Sequence, residues 1–359
     1  LEFCVYLPPK RGMYRFLIRP VLFLLPPETI HNLLVGFLRG FFRLPGTHRL
    51  IRSIYHVISS RLETSFLGMT FSNPVGLAAG FDKNAEVFRE FHAFGFSFVE
   101  IGTVTPLGQP GNPKPRSFRI PEDKGLINRM GFNNRGARAA AGKLAGRRPS
   151  GLIVGGNIGK NTQTPNEKAP DDYEAVFRAL YDHVDYFVVN VSCPNITDME
   201  KLQDQESLEK ILSRILEVRK MMSVRKPVLL KISPDLNDRQ LDETLQIITS
   251  MELDGIVATN TTIKRDGLST PESEIARIGR GGMSGSPITE RSLQVVRYIH
   301  RSTEGKLPII AVGGIMSVGD AVRMLDAGAT LIQLYTGFIY EGPGLVRRIQ
   351  KELVRRKTQ

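Results

Sequence analysis

The residues best suited to chemistry are amides, lysines and one thiol that follow short apolar runs. Cys193 lies in the segment NVSCPN (190–195), directly after one such run. A thiol with an ordinary pKa of about 8.5 is a far better base near neutrality than a hydroxyl. A lone buried cysteine is more often a packing residue than a catalytic one, so the setting of Cys193 decides its interpretation.

Polar residues also follow the other apolar runs, at Lys83, Thr103, Asn157, Asn190, Lys231, Asn260, Gly314 and Tyr335. So many amides and cations around one opening would suit a planar, polar, anionic ligand. Glycine-bearing segments at Gly281-Gly282, Gly313-Gly314 and Tyr335-Thr336-Gly337 would expose backbone N–H groups to a phosphate. These features fit FMN or a phosphosugar, and the pattern alone does not separate the two.

The sequence offers little support for metal or serine chemistry. Its six histidines and its carboxylates show no H-x-x-x-H or clustered spacing, and no G-x-S-x-G segment is present. Cys4 and Cys193 are too few for a disulfide framework. We therefore expect no metal site and a reducing compartment.

Eight β-branched or apolar runs alternate with amphipathic stretches from residue 64 onward. The predicted strands are Val75–Gly80, Phe98–Thr103, Leu152–Asn157, Tyr186–Ser192, Val228–Ser233, Gly255–Asn260, Pro308–Gly313 and Thr330–Tyr335. The predicted helices lie near Ala85–Phe94, Arg135–Leu144, Asp172–Val184, Glu206–Met222, Asp238–Met251, Thr289–Arg301, Val318–Ala327 and Leu345–Arg356. Eight such units predict an α/β fold, the (β/α)₈ TIM barrel, with its active site at the carboxyl ends of the strands. A doubly wound sheet is less favoured, since no G-x-G-x-x-G follows the first strand.

The first 62 residues form a predicted N-terminal extension, and residues 63–359 form the predicted barrel domain. The extension carries nine Lys or Arg and two Glu, a net charge of +7 out of the +12 of the whole chain. Apolar positions recur at helical spacing from Glu28 to Leu44, but charged residues and prolines keep every apolar run too short to span a membrane. This pattern predicts amphipathic helices lying on a membrane surface, or alternatively a helix packed on the protein's own core. Pro20 places the start of a helix near that residue.

The most specific segments are GLAAGFDK (76–83), EIGTVTP (100–106), NRMGFNN (128–134), NIGKN (157–161), NVSCPN (190–195), ATNTT (258–262) and VGGI (312–315). Together they resemble the dihydroorotate dehydrogenases, from about Met13 to the C-terminus. The resemblance implies oxidation of (S)-dihydroorotate to orotate with FMN as hydride acceptor, in pyrimidine biosynthesis. The extension and NRMGF (128–132) resemble the membrane-bound class, whose final electron acceptor is a quinone.

The resemblance also implies roles for individual residues. FMN would be held by Ala79, Gly80, Lys83, Thr103, Asn157, Asn190, Lys231, Thr259, Gly282, Gly314, Tyr335 and Thr336. The substrate would be held by Lys83, Asn128, Arg129, Met130, Gly131, Phe132, Asn190, Asn195, Asn260 and Thr261. A quinone tunnel would include His31, Arg119 and Tyr335. Cys193 would be the catalytic base that removes a C5 proton while hydride leaves C6.

Cys193 is also where the chain departs from its class, because the membrane-bound enzymes usually carry serine at this position and the soluble enzymes cysteine. The implied partners are dihydroorotate, orotate, ubiquinone or menaquinone and a membrane surface, with no nucleic acid. The implied location is the cytoplasmic face of a bacterial inner membrane. Three alternatives remain: a soluble dihydroorotate dehydrogenase that uses fumarate or NAD, a flavin barrel acting on uridine in RNA, and a lipid-binding scaffold.

Overall fold

The computed structural model describes residues 12–192, 202 and 204–358. Its strands, in chain order, are β1 (Thr64–Phe66), β2 (Met69–Phe71), β3 (Val75–Leu77), β4 (Phe98–Val104), β5 (Leu107–Gln109), β6 (Ser117–Ile120), β7 (Gly125–Asn128), β8 (Asn134–Gly136), β9 (Ile153–Ile158), β10 (Tyr186–Asn190), β11 (Val228–Ile232), β12 (Gly255–Ala258), β13 (Gly282–Gly285), β14 (Ile309–Val312) and β15 (Leu331–Leu334).

The α-helices are α1 (Arg19–Phe23), α2 (Pro27–Phe41), α3 (Thr47–Tyr55), α4 (Phe88–Ala93), α5 (Ala137–Leu144), α6 (Ala169–Leu180), α7 (Gln205–Met221), α8 (Asp238–Ser250), α9 (Glu272–Ile278), α10 (Thr289–Ser302), α11 (Val318–Asp326), α12 (Thr336–Glu341) and α13 (Gly344–Arg356). A π-helical turn covers Tyr14–Ile18, and 3₁₀ turns cover Ser60–Leu62, Asn166–Lys168, Tyr181–His183 and Ser286–Ile288.

Eight parallel strands close into a barrel in the order β3-β4-β9-β10-β11-β12-β14-β15, with β15 pairing back to β3. The predicted TIM barrel is therefore confirmed, and each of the eight predicted runs contributes one strand. Most predicted strands extend one to three residues too far at the carboxyl end, because the chain leaves the sheet there to form the mouth of the barrel. Phe98, Tyr186, Leu229 and Leu331 are buried inside the barrel below that mouth.

Small antiparallel sheets flank the mouth and were not predicted. β13, β7 and β6 form one of them, in which Gly282 pairs with Asn128. β5 and β8 form a second sheet, and β1 and β2 a hairpin at the other end. Strands of three or four residues carry too little periodicity to stand out in a sequence.

The N-terminal helices pack against the barrel around its mouth. Glu28 at the start of α2 forms an ion pair with the buried Arg116, at 2.6 Å between Oε1 and Nη2. The Tyr14 hydroxyl donates to the Ile339 carbonyl at 2.7 Å, and Arg39 pairs with Glu86 at 3.3 Å. Val35 and Leu38 of α2 add apolar contacts with the main core.

Pro20 lies in the first turn of α1, where a missing N–H costs least. The π-helical turn before it closes with a hydrogen bond from the Arg19 N–H to the Tyr14 carbonyl. Among the described residues, no single helix is long and apolar enough to cross a membrane. The segments Tyr14–Phe23 and Pro27–Phe41 meet the length and composition test only as a pair, bent by 115°.

Candidate active site

A cavity of about 130 Å³ lies at the carboxyl ends of the barrel strands. Its walls combine polar strand ends with glycine-rich loops, as a phosphorylated planar ligand would require. It is lined by Ala78, Ala79, Gly80, Lys83, Thr103, Asn128, Met130, Gly131, Phe132, Asn190, Lys231, Thr259, Asn260, Thr261, Ser284, Gly285, Ile288, Val312, Gly313, Gly314, Ile315, Gln333, Tyr335, Thr336 and Gly337.

Hydrogen bonds join the amides of the mouth into one network. Asn190 Nδ2 donates to Thr103 Oγ1 at 2.9 Å, and its Oδ1 accepts from Asn260 Nδ2 at 3.2 Å. Asn260 Nδ2 also donates to the Ser192 carbonyl at 3.1 Å, while Ser192 Oγ donates to the Lys231 carbonyl at 3.0 Å. The strand-end side chains are therefore held by one another before any ligand binds, which lowers the cost of ordering them.

Glycines on one side of the cavity allow the backbone to approach closely. Gly314 has φ +71°, and a Cβ there would lie 2.3 Å from Thr289 Cα. A Cβ on Gly337 would lie 2.0 Å from the Ile315 carbonyl oxygen. Beside them, Ser284 Oγ and Thr336 Oγ1 are hydrogen-bonded at 2.8 Å. Backbone N–H groups and hydroxyls in this arrangement can hold a phosphate.

Most of the predicted cofactor residues line this cavity, namely Ala79, Gly80, Lys83, Thr103, Asn190, Lys231, Thr259, Gly314, Tyr335 and Thr336. Asn157 does not line it, since its side chain lies behind the wall and bonds to Thr103 and Glu100. Gly282 does not line it either; it lies on β13 opposite Asn128, and the cavity is reached two residues later, at Ser284.

The predicted substrate residues Lys83, Asn128, Met130, Gly131, Phe132, Asn190, Asn260 and Thr261 share the same cavity. Arg129 lies outside it. Its guanidinium donates to the carbonyls of Ile278 and Arg280 and stacks 4.6 Å from the Phe118 ring centroid. Cys193, which directly follows Ser192, and Asn195 lie outside the described residues.

Several cavity residues were missed by sequence reasoning. Ala78, Ile288, Val312 and Ile315 are apolar and carry no chemical signal, whereas Gln333 looks like an ordinary strand residue. Ser284 and Gly285 lie two and three residues after Gly282, the second residue of the predicted Gly281-Gly282 pair. Their strand, β13, is four residues long, so its register against the mouth was not readable.

A larger cavity of about 640 Å³ lies between the N-terminal helices and the barrel mouth. Leu22, Ile30 and Leu34 line it from α1 and α2, while Phe338 and Ile339 line it from α12. The predicted tunnel residues His31, Arg119 and Tyr335 are all in its wall. Gly80, Lys83, Met130 and Tyr335 line both cavities, so the two spaces share one wall.

Burial sets the protonation of two groups that line the larger cavity, His31 and Tyr335. It lowers the pKa of His31 to about 4, helped by the positive charge of Lys83. It raises the pKa of Tyr335 to about 12. Phe81 packs edge-on against both rings, at 5.3 Å from His31 and 5.5 Å from Tyr335. At neutral pH the larger cavity therefore presents a neutral imidazole from His31 and, at the wall it shares with the smaller cavity, a neutral phenol from Tyr335.

Arg119 contributes a cation to the larger cavity. Its Nη1 donates to the Leu25 carbonyl at 2.7 Å, and its guanidinium lies 4.3 Å from the Phe23 ring centroid. Burial lowers its pKa from the ordinary arginine value. Within the described part of the chain, no cluster of His, Cys, Asp or Glu could hold a metal ion.

The family model described as dihydroorotate dehydrogenase matches residues 61–356. The chain belongs to the dihydroorotate dehydrogenase family. A family member from Christiangramia forsetii, named dihydroorotate dehydrogenase (quinone), is 47% identical over 95% of this chain and 99% of its own length. A second with the same name, from Rhodococcus opacus, is 47% identical over 96% of this chain and 95% of its own. The crystal structure of the Eimeria tenella dihydroorotate dehydrogenase in complex with ferulenol has a TM-score of 0.84 at 34% identity, covering 94% of this chain and 95% of that one.

The depressed pKa of His31 predicts how its imidazole titrates. Its imidazole should be neutral from pH 8 down to about pH 5 and become protonated only near pH 4. Because the folded-state pKa lies below the ordinary 6.5, the stability linked to His31 is complete above pH 6.5 and is lost as the pH falls through 4. Histidine NMR titration, with His31→Gln to assign the signal, measures this directly. A midpoint of 6 or higher would contradict the burial of the ring.

The close contact at Gly314 predicts a sharp difference between two glycine substitutions. Gly314→Ala should lower the stability by more than about 1 kcal/mol, since alanine disfavours positive φ and its Cβ would collide with Thr289. Gly319→Ala is the matched control, because its Cβ would meet only Ser317 Oγ at 3.6 Å. Thermal unfolding of both variants measures the difference. Equal melting temperatures would show that the loop can move aside without cost.

Proposed function

We propose that this chain oxidises (S)-dihydroorotate to orotate with bound FMN and passes the electrons to a quinone, as a step of pyrimidine synthesis. The observation that carries this proposal is the common wall of the two cavities. A small polar cavity for a planar anion and a large, mainly apolar one meet at Gly80, Lys83, Met130 and Tyr335. A two-step electron transfer between a polar and an apolar substrate needs such a junction. The two relatives named as quinone-dependent enzymes support the choice of acceptor.

The residues present fit FMN. The ring would face the amides and Lys231, and the phosphate would lie at the loops that carry Gly314, Thr336 and Gly337. When bound, FMN would supply the hydride-accepting and electron-transferring chemistry. Lys231 is buried on β11, where its positive charge would stabilise negative charge that develops on the ring.

The chain's own residues would bind and orient the substrate. Asn128, Asn190, Asn260 and Thr261 surround the small cavity with amide and hydroxyl groups that can match a ring with a carboxylate and two amides. Lys83 would add the positive charge that a substrate anion requires. Its Nζ donates to Asn133 Oδ1 at 2.5 Å, which fixes the direction of the ammonium group.

Cys193 is the proposed base, on the evidence of the sequence alone. It directly follows Ser192, whose backbone is held beside Lys231 and Asn260 at the mouth. In its thiolate form, Cys193 would accept the proton that leaves the substrate. The fraction of Cys193 in this form would rise as the pH approaches the pKa of the thiol.

The N-terminal segment is the proposed membrane-docking part, residues 1–62, attached to the barrel domain of residues 63–359. Large apolar side chains of the helices project into solvent, including Phe16 (75% exposed), Leu24 (82%) and Phe37 (62%). Arg43, Arg49 and Arg52 are exposed on the following turns. An apolar face with nearby cations suits an anionic membrane surface, and the cytoplasmic face of a bacterial inner membrane is the proposed location.

The electron acceptor can be identified in one anaerobic experiment. Dihydroorotate should bleach the flavin absorbance of the purified protein, and a short-chain quinone should restore it. Arg119→Leu should raise the KM for quinone about tenfold without slowing the bleaching, because Arg119 lines only the larger cavity. Arg291→Leu is the control, since Arg291 also holds two backbone carbonyls, those of Pro234 and Leu236, but lines neither cavity.

Each alternative acceptor gives its own result. Recovery of colour with fumarate or NAD but not with quinone would favour the soluble-type enzyme suggested by Cys193. A failure of dihydroorotate to bleach the flavin would overturn the substrate assignment.

Membrane docking can be tested by flotation with phospholipid vesicles. The double variant Leu33→Glu and Phe37→Glu should bind anionic vesicles at least about tenfold more weakly, because both side chains are exposed on α2. Met221→Glu is the control, as Met221 is 75% exposed at the end of α7, away from the N-terminal helices. Equal flotation of all three proteins would leave the exposed apolar face without a membrane role.

A further inference from the structure

A buried carboxylate lies directly behind the wall of the small cavity. Glu100, on β4, has no solvent exposure, and its two oxygens accept one hydrogen bond each from different strands. Asn157 Nδ2 on β9 donates to Oε1 at 2.7 Å, and Gln333 Nε2 on β15 donates to Oε2 at 2.6 Å. A carboxylate is costly to bury, and two short amide donors are what make its burial tolerable.

This contact fixes which way the Asn157 amide faces. With Nδ2 directed at Glu100, Asn157 Oδ1 accepts from Thr103 Oγ1 at 2.5 Å and from Asn190 Nδ2 at 3.2 Å. If the amide turned over, its NH₂ group would face the Asn190 NH₂ group, and its oxygen would face a carboxylate. Glu100 therefore sets an orientation that Asn157 cannot reverse at low cost.

The orientation is passed on to the cavity. Asn190 Nδ2 and Thr103 Oγ1 are committed to Asn157, which leaves Asn190 Oδ1 to accept from Asn260 Nδ2 at 3.2 Å. Successive donors thus point inward, from Asn260 through Asn190 and Asn157 to Glu100. Hydrogen bonds in such a chain polarise one another. Thr103, Asn190 and Asn260 line the cavity, whereas Glu100 and Asn157 do not.

Gln333 holds the other oxygen of Glu100 in a different way. Its Oε1 accepts no hydrogen bond from the described residues, and its side chain also lies close enough to the Tyr186 hydroxyl to interact with it. The carboxylate also acts on Tyr186, whose pKa is raised well above the usual value by burial first and by Glu100 second. Tyr186 thus remains a neutral phenol beneath the network.

We propose that Glu100 is a positioning residue for the flavin and substrate site. It touches neither ligand, and it acts by fixing the Asn157 amide and, through it, the directions of the Thr103 hydroxyl and the Asn190 amide at the cavity wall. This inference rests on the proposed function, because FMN and dihydroorotate are the ligands that those wall groups would hold.

The first test compares two substitutions of Glu100. In Glu100→Met the new side chain has a similar length but no hydrogen-bond acceptor for Asn157 or Gln333. The FMN affinity of the apoprotein should therefore fall about tenfold or more. The KM for dihydroorotate should rise while the KM for quinone stays constant. Glu100→Gln is the conservative variant: its oxygen can serve Asn157, and its NH₂ can serve Gln333 once that amide turns over. It should recover most of the FMN affinity. Flavin fluorescence titration measures affinity, and thermal unfolding is recorded in parallel.

A second test exchanges the two hydrogen-bonded side chains, so that the carboxylate is at residue 157 and the amide at residue 100. Asn157→Asp alone should bind FMN weakly near neutral pH, because two carboxylates would then face each other. Combining it with Glu100→Gln lets the introduced amide donate to the introduced carboxylate, while Thr103 and Asn190 keep an acceptor. The double variant should therefore bind FMN more tightly than Asn157→Asp alone. This pair decides the question if Glu100→Met fails to fold.

The outcomes separate the inference from the proposed function. Normal FMN affinity in a less stable Glu100→Met would reduce Glu100 to a structural role and overturn the inference. Equal affinities of Asn157→Asp and the double variant would do the same. If the unmodified protein binds no FMN, the proposed function fails first.

Discussion

Closure of the eight-stranded barrel is the constraint on which the rest of the molecule depends. Each barrel strand is hydrogen-bonded on both sides, so no strand edge remains and the carboxyl ends of all eight meet around one mouth. The interior is then filled in layers. Apolar side chains such as Phe98, Tyr186 and Leu331 occupy the lower part, and the Glu100 hydrogen-bond network lies above them. The ligand cavity comes next. Each layer is supported by the one beneath it.

The segment between Gly80 and Val87 serves both cavities at once. Gly80 and Lys83 line the two spaces, and Phe81 packs against His31 and Tyr335. Asp82 holds the segment in shape, since its buried carboxylate accepts from the Glu86 and Val87 N–H groups at 2.7 and 2.8 Å. A substitution here would disturb the small polar site and the large apolar one together.

Long, regular elements of the fold could be predicted from the sequence. Short elements, and side-chain orientations that depend on neighbouring residues, could not. Strands such as Tyr186–Asn190 are buried on both faces and appear as continuous apolar runs. The six-residue α12 and the four-residue β13 have no such signature. The orientation of an amide is also invisible in a sequence. Asn157 was assigned to the cofactor by resemblance, yet its side chain lies behind the cavity wall, and Glu100 was part of a recognised segment without any role of its own.

Arg129 illustrates the same limit at a charged position. A cation within NRMGF (128–132) is a natural partner for an anionic substrate, but the side chain reaches the carbonyls of Ile278 and Arg280 instead. Strand pairing decides this. Gly282 opposes Asn128 across β13 and β7, which brings the segment before β13 within reach of the next residue, Arg129. The guanidinium therefore ties two distant loops together, and amides and Lys83 are left to line the cavity. Which residue of a motif meets the ligand depends on the pairing of neighbouring strands, and that pairing is a property of the whole fold.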